Sequence, residues 1–169
     1  SEVVFDSDGI GACVRGDARV INEKRLESQR IKFTPWRASG EVIDKDLCVF
    51  QNDRNRDSSN ITRTNEDFFE NAGAQSAWAL RTRFKNTFNA VVHGKEFEPD
   101  EVISIPSTLP EYREIVVELS QPQIKPNGAG KMVLVKAPDG MPSPNRFDAI
   151  RMVFSKQKEA MWGFGGDEY

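Results

Sequence analysis

Several things are scarce in this chain of 169 residues, and each scarcity excludes something. Cysteine occurs twice, as Cys13 and Cys48, in unrelated contexts. With no CxxC pair and no histidine cluster beside either one, a structural zinc site is excluded as a working reading, and sparse cysteine fits a reducing cytoplasm. Histidine occurs once, as His93, with no acid or nucleophile placed nearby to make it a catalytic base. It stands at the end of a helical pattern, where a partial positive charge is favourable. No apolar run approaches the length of a membrane span, and no signal peptide opens the chain. Basic excess is missing too: 23 Lys and Arg against 26 Asp and Glu give a net charge of -3. A protein that holds nucleic acid by charge alone is usually basic, so a DNA contact here has to be local or metal-assisted.

What remains is the composition of a single soluble globular domain over residues 1–160, 38% hydrophobic and 29% charged, with a glycine-rich flexible tail at 161–169. The chain opens on Ser1 directly before a strand, and an earlier start is expected for the natural protein. Val3 to Phe5 reads as a short buried strand that delivers Asp6 and Asp8 into the turn "DSDGIG". Residues from Ala12 to about Arg30 are helix-compatible, and "RIKFTPW" alternates as a strand that Pro35 ends or leaves at an edge. Strand, helix, strand predicts a parallel pair. "QNDRNRDSSN" reads as a surface loop, solvated or, through Arg54, Arg56 and Arg63, DNA-contacting.

"NAGAQSAWALRTRFKNTFNAVVHG" carries the strongest helical pattern. Ala77, Leu80, Phe84, Phe88 and Val91 mark its buried face, Gly94 its stop, and Arg81, Arg83 and Lys85 its charged side. "STLPEYREIVVELSQ" predicts a helix capped by Ser107 or Thr108 with Pro110 in its first turn. "PQIKPNGAGKMVLVKA" predicts a hairpin around Asn-Gly. "SPNRFDAIRMVFSKQKE" predicts a helix with Ser143 at the cap, Pro144 in the first position, and Phe147, Ile150, Met152, Val153 and Phe154 buried.

Three readings of the acids stay open. "VVFDSDGIG" resembles the opening motif of haloacid dehalogenase-type phosphatases, in which Asp6 would attack phosphorus and Asp8 would protonate the leaving group. That family's later acid pair has no match after Lys136, the candidate lysine. The second reading is a metal-dependent nuclease. Cleaving a phosphodiester with two metal ions needs three or four carboxylates from separate segments, and Asp6 and Asp148 lie near opposite ends of the chain.

"KMVLVKAPDGMPSPNRFDAIRMVFS" resembles the end of the nuclease domain of the large terminase subunit of tailed double-stranded DNA phages. "VVFDSDGIGACV" resembles that family's strand with its Asp and Gly-x-Gly-Ala turn, and "NAGAQSAWALRTRF" its Asn-x-x-Ala-x-x-x-Trp helix. The three come in the family's order. The resemblance implies an α/β, ribonuclease-H-like fold: a mixed sheet flanked by helices, lacking the first strand or strands of the family fold. It implies divalent-metal-dependent endonucleolytic cleavage of double-stranded DNA with Mg2+ or Mn2+, in the cytoplasm of a bacterial host. Asp6 and Asp148 would be metal ligands, Asp8 a helper, and Lys136, Arg81 and Arg83 phosphate contacts. Implied partners are the rest of the large subunit, the small terminase subunit and the portal. Many members carry a further acid where this chain has Asn145. The family's first catalytic Asp lies upstream of "VVFD", and no GxxxxGK[ST] motor loop is present, so weak or absent activity is expected of this piece. The third reading is a catalytically dead module that binds DNA or a partner, through the unpaired edge beside "EVVF" among other surfaces.

Overall fold

The computed structural model describes residues 2–8, 13–49 and 63–155. The remainder of the Gly-x-Gly-Ala turn, Arg54, Arg56 and the tail at 161–169 lie outside the described residues.

Strand β1 (Glu2–Asp6) pairs in parallel with β2 (Lys32–Trp36), so that Asp6 lies opposite Trp36. Pro35 sits inside β2 opposite Phe5; with one described strand beside it, β2 is an edge and tolerates a residue without an N–H. Phe5 is buried, but Val3 and Val4 are exposed, so the strand expected to be buried throughout is covered at one position. The connecting helix α1 is shorter than its pattern predicted, Val14–Glu23, and a single 3-10 turn at Glu27–Gln29 follows it. Asn22 explains the stop: its side chain donates to the Ile31 carbonyl at 2.8 Å and accepts from the Ile31 amide at 2.9 Å, tying the helix end to the approach to β2.

A four-residue helix α2 (Asn65–Phe68) starts in a capping box between Thr64 and Asp67. The long helix α3 (Ala72–His93) follows as predicted, with Asn71 accepting from the Ala74 amide at one end and Gly94 at φ +61° closing the other. The predicted buried stripe is buried only in part. Ala77 and Leu80 are enclosed, whereas Phe84, Phe88 and Val91 are 37%, 57% and 79% exposed, because the described elements pack on the first half of the helix. At its end, His93 meets the ring of Phe88 edge-on.

Helix α4 (Tyr112–Ser120) begins after the proline, with Glu111 at its cap and no Ser or Thr cap bond. The hairpin β3 (Gln123–Pro126) and β4 (Met132–Val135) is antiparallel, but its loop has five residues. Asn127 organises that loop by accepting from the amides of Ala129 and Lys131, and the left-handed position falls on Gly130, not on Gly128. Helix α5 (Asn145–Val153) has no side-chain cap from Ser143. Glu118 of α4 does that work from another helix: its carboxylate accepts from the Arg146 amide and pairs with the Arg146 guanidinium, both at 2.6 Å.

One parallel and one antiparallel pair, flanked by helices, make an open mixed α/β arrangement. Two apolar clusters hold it, Val42, Phe68, Phe69 and Ala74 on one side and Ala77, Leu80, Ile103 and Phe147 on the other; Leu134 packs against both. Trp78 stands edge-on to Phe68 and Phe69 in the first cluster. No described helix is long and apolar enough to cross a membrane.

Burial opposes ionisation of Glu118, but its hydrogen bonds to the Arg146 side chain and amide, the charge of Arg146 and the Phe147 amide hold its pKa below the ordinary carboxylate value. A carboxylate with a depressed folded pKa contributes stability that is present above its unfolded pKa and lost as pH falls through the folded one. Glu118→Gln is therefore expected to lower the melting temperature at neutral pH and to lose that deficit on acidification. Differential scanning calorimetry across that range checks it, and a deficit that does not change with pH would rule out the ionic clamp.

Candidate functional site

The parallel pairing of β1 and β2 puts both carboxyl-terminal ends at one edge, a usual place for chemistry in open α/β sheets. Ser7 fixes the exit of β1: its amide and hydroxyl both donate to the Trp36 carbonyl, at 2.8 and 3.0 Å. Asp6, at the last position of β1, accepts from the Asp8 amide at 2.9 Å. Asp8 in turn accepts from the amide and hydroxyl of Ser39, at 3.1 and 2.9 Å, and lies 3.6 Å from Arg37. Partial burial works to raise the Asp8 pKa, but the hydrogen bonds from Ser39 and Ala38 and the charge of Arg37 outweigh it and hold the carboxyl below its ordinary value.

Helix α5 packs against this end of β1 and brings Asp148 with it. Each Asp148 oxygen meets a cation: Oδ2 the Lys136 ammonium at 2.8 Å, Oδ1 the Arg151 guanidinium at 2.6 Å. Lys136 directly follows β4 and is 36% exposed, Asp148 14%, Arg151 not at all. Arg151 also donates to the Gly73 carbonyl at 3.2 Å, at the start of α3. Its guanidinium lies 4.5 Å from the centre of the Trp36 ring and 5.3 Å from that of Phe147. Burial lowers its pKa, against the opposing charges of Asp148, Asp6 and Asp8. Asp148, singled out in the sequence, is thus held by a cation that the sequence reading did not single out. Its signal was present: Asp148 and Arg151 stand three residues apart, a spacing that makes them neighbours on a helix.

The predicted phosphate contacts separate. Lys136 is at the acids. Arg81 stacks on Trp78 and lines an apolar groove of about 580 Å3 between α3, α4 and the hairpin, whose lining includes none of the acids. Arg83 is turned onto the Phe154 ring, and its Nε is buried with no hydrogen-bond partner among the described residues, so it is not part of a solvated outer face. Asn145 is exposed at the start of α5, and Arg63 reaches the carbonyls of Asp67 and Gly130.

Mg2+ and Mn2+ take several oxygen ligands with most of the coordination shell available. Among the described residues, no group of three or more His, Cys, Asp or Glu lies close enough to hold a metal ion. Both oxygens of Asp148 are held by cations, and those of Asp8 by Ser39. The described residues alone do not fit a divalent-ion centre.

No protein-family model matches the chain, and no curated protein sequence matches it. Solved structures do. The chain is similar to the nuclease domain of the large terminase subunit gp2 of bacterial virus Sf6, with 29% identity and a TM-score of 0.74 over 93% of this chain and 66% of that one. A lysine-to-alanine mutant of that nuclease domain with manganese gives 29% identity and a TM-score of 0.71, over 90% of this chain and 65% of that one. A corresponding mutant with calcium gives the same identity and TM-score, covering 90% and 64%. This chain closely resembles that nuclease domain, in the same open, ribonuclease-H-like α/β arrangement, and spans about two thirds of its length.

Removing one partner of a buried ion pair leaves the other charge uncompensated, at a cost of about 3–5 kcal/mol. Asp148→Ala is expected to cost an amount in that range in urea unfolding without added metal. A cost near that of a surface substitution would show that Arg151 does not depend on Asp148.

Proposed function

We propose that this chain is the C-terminal nuclease portion of a phage DNA-packaging terminase, and that the reaction it serves is divalent-metal-dependent endonucleolytic cleavage of double-stranded DNA. The observation that carries the reading is that α5, which bears Asp148, packs against β1, which ends in Asp6 at the carboxyl edge of the parallel pair. The likeness to a terminase nuclease domain, including a form with manganese, supports it.

In this reading Asp6 and Asp148 are the residues that would hold Mg2+ or Mn2+, and Asp8 braces Asp6 through its amide. When bound, such an ion supplies charge neutralisation at the scissile phosphate. Lys136, half-buried at the rim beside Asp148, is placed to meet a DNA phosphate. Arg81 and Arg83 are weaker candidates, because both guanidinium groups lie over aromatic rings. The rest of the large subunit, the small subunit and the portal are the expected partners, in a bacterial host cell.

The phosphatase reading finds no support in the comparisons. Asp8 also suits it poorly, since a proton donor needs a raised pKa and its pKa is lowered.

Calorimetric titration of Mn2+ into wild type, Asp6→Asn and Asp148→Asn tests the proposal. Binding is expected to weaken at least about tenfold in both variants, the scale on which even outer-shell partners act. Weakening in Asp6→Asn alone would favour the phosphatase. No binding by wild type, together with DNA association indifferent to both acids, would leave the binding module as the function of this chain.

A further inference from the structure

We propose that Gln121 is a positioning residue: its side-chain amide clasps the carbonyls of Lys136 and Pro142 and so sets the Lys136–Asp148 pair for a nucleic-acid phosphate. Gln121 closes α4 at its carboxyl end and is 7% exposed. Its Nε2 donates to the Lys136 carbonyl at 3.0 Å and to the Pro142 carbonyl at 2.8 Å. A side-chain amide nitrogen carries two N–H donors, and both are spent here. Since both partners are carbonyls, the amide faces them through its nitrogen; its oxygen would repel them.

The places of those carbonyls in the chain give the clasp its consequence. Lys136 directly follows β4, and Pro142 leads into α5, which carries Asp148. Between them the chain makes a single 3-10 turn at Pro138–Gly140. One buried amide thus joins the start and the end of that excursion and holds both to α4. Glu118, three residues earlier and so on the same face of α4, grips the Arg146 amide and guanidinium at 2.6 Å. The exit from β4 and the start of α5 are therefore fixed to the same helix turn. The 2.8 Å contact of Lys136 Nζ with Asp148 Oδ2 is made between two anchored segments. An ammonium on a flexible stem has no fork of its own to fix its direction, so that direction depends on how firmly its backbone and its partner are held. That Lys136 meets a phosphate rests on the nuclease reading; that Gln121 holds Lys136 does not.

Trace labelling of lysines with acetic anhydride, read by mass spectrometry without metal or DNA, measures how firmly Lys136 is held. The exposed Lys95, beyond the end of α3, is the reference. Gln121→Met keeps the length of the side chain and removes both donors. Labelling of Lys136 relative to Lys95 is expected to rise about fivefold, the change in an opening equilibrium that losing the net contribution of one hydrogen bond gives. Gln121→Asn keeps the donors but is too short to span both carbonyls. It is expected to raise Lys136 labelling as well, and it decides the matter alone if Gln121→Met fails to fold. Lys125 and Lys131 of the hairpin are expected to keep their wild-type rates, which a general loosening would not allow. Lys136 labelled at its wild-type rate, or a rise shared with Lys125 and Lys131, overturns the proposal. With neither metal nor DNA present, failure of the nuclease reading would leave this result unchanged and remove only the phosphate.

Discussion

The arrangement depends on where one buried positive charge is allowed to sit. Arg151 has no exposure to water, and three elements surround it: the first turn of α3 and the body of α5 with acceptors, and the end of β2 with the Trp36 ring. Each of those elements is fixed by something else. Ser7 locks β1 onto the Trp36 carbonyl, Gly73 lets α3 approach the turn after β2, and Glu118 grips the start of α5. Loosening any of the three would expose or unpair a buried cation, so the penalty for misplacing an element is larger than the loss of its apolar contacts. The two small apolar clusters supply the bulk of the packing, and Arg151 specifies which ends meet.

This bears on how the acids are to be understood. Asp6 and Asp8 are bound to each other through a main-chain hydrogen bond, and Asp8 to Ser39, while Asp148 is shared between a fixed cation and a partly exposed one. Asp6 Oδ2 is the oxygen of the three acids that meets no donor among the described residues. Lys136 and Arg151 are not equivalent, although both hold Asp148. Lys136 sits on a flexible stem at the rim, whereas Arg151 is stacked and cannot leave without disrupting the packing of Trp36.

Much of the chain was legible because local rules agreed with tertiary ones. The helix over Ala72–His93 has a capping Asn71 and a stopping Gly94. The Asn-x-x-Ala-x-x-x-Trp pattern also finds its reasons: Asn71 caps, Ala74 is fully enclosed, and Trp78 joins the aromatic cluster. The parallel β1–β2 pair followed from strand, helix, strand. Failures came where a distant residue replaced a local one. Ser143, Ser107 and Thr108 have capping chemistry in the right places, yet Glu118 of another helix does the work at α5, and α4 starts beyond its proline. Periodicity marked Phe84, Phe88 and Val91 as buried because it reports which side of a helix is apolar and not how far along the helix the partners extend.

Arg151 is the instructive omission. An arginine within an apolar helical stretch reads as a surface residue, since charged residues are almost never fully buried unless they are paired. The pairing that makes burial tolerable uses Asp148 nearby, Gly73 far back in the chain, and a tryptophan at the end of β2. Sequence spacing reveals the first of these and is silent on the other two. Reading Asp148 as a metal ligand alone therefore understates its position: it already has two cationic partners. An acid's identity and its place in a motif say that it can bind a cation. Which cation holds it at rest is decided by packing from elements the motif does not contain.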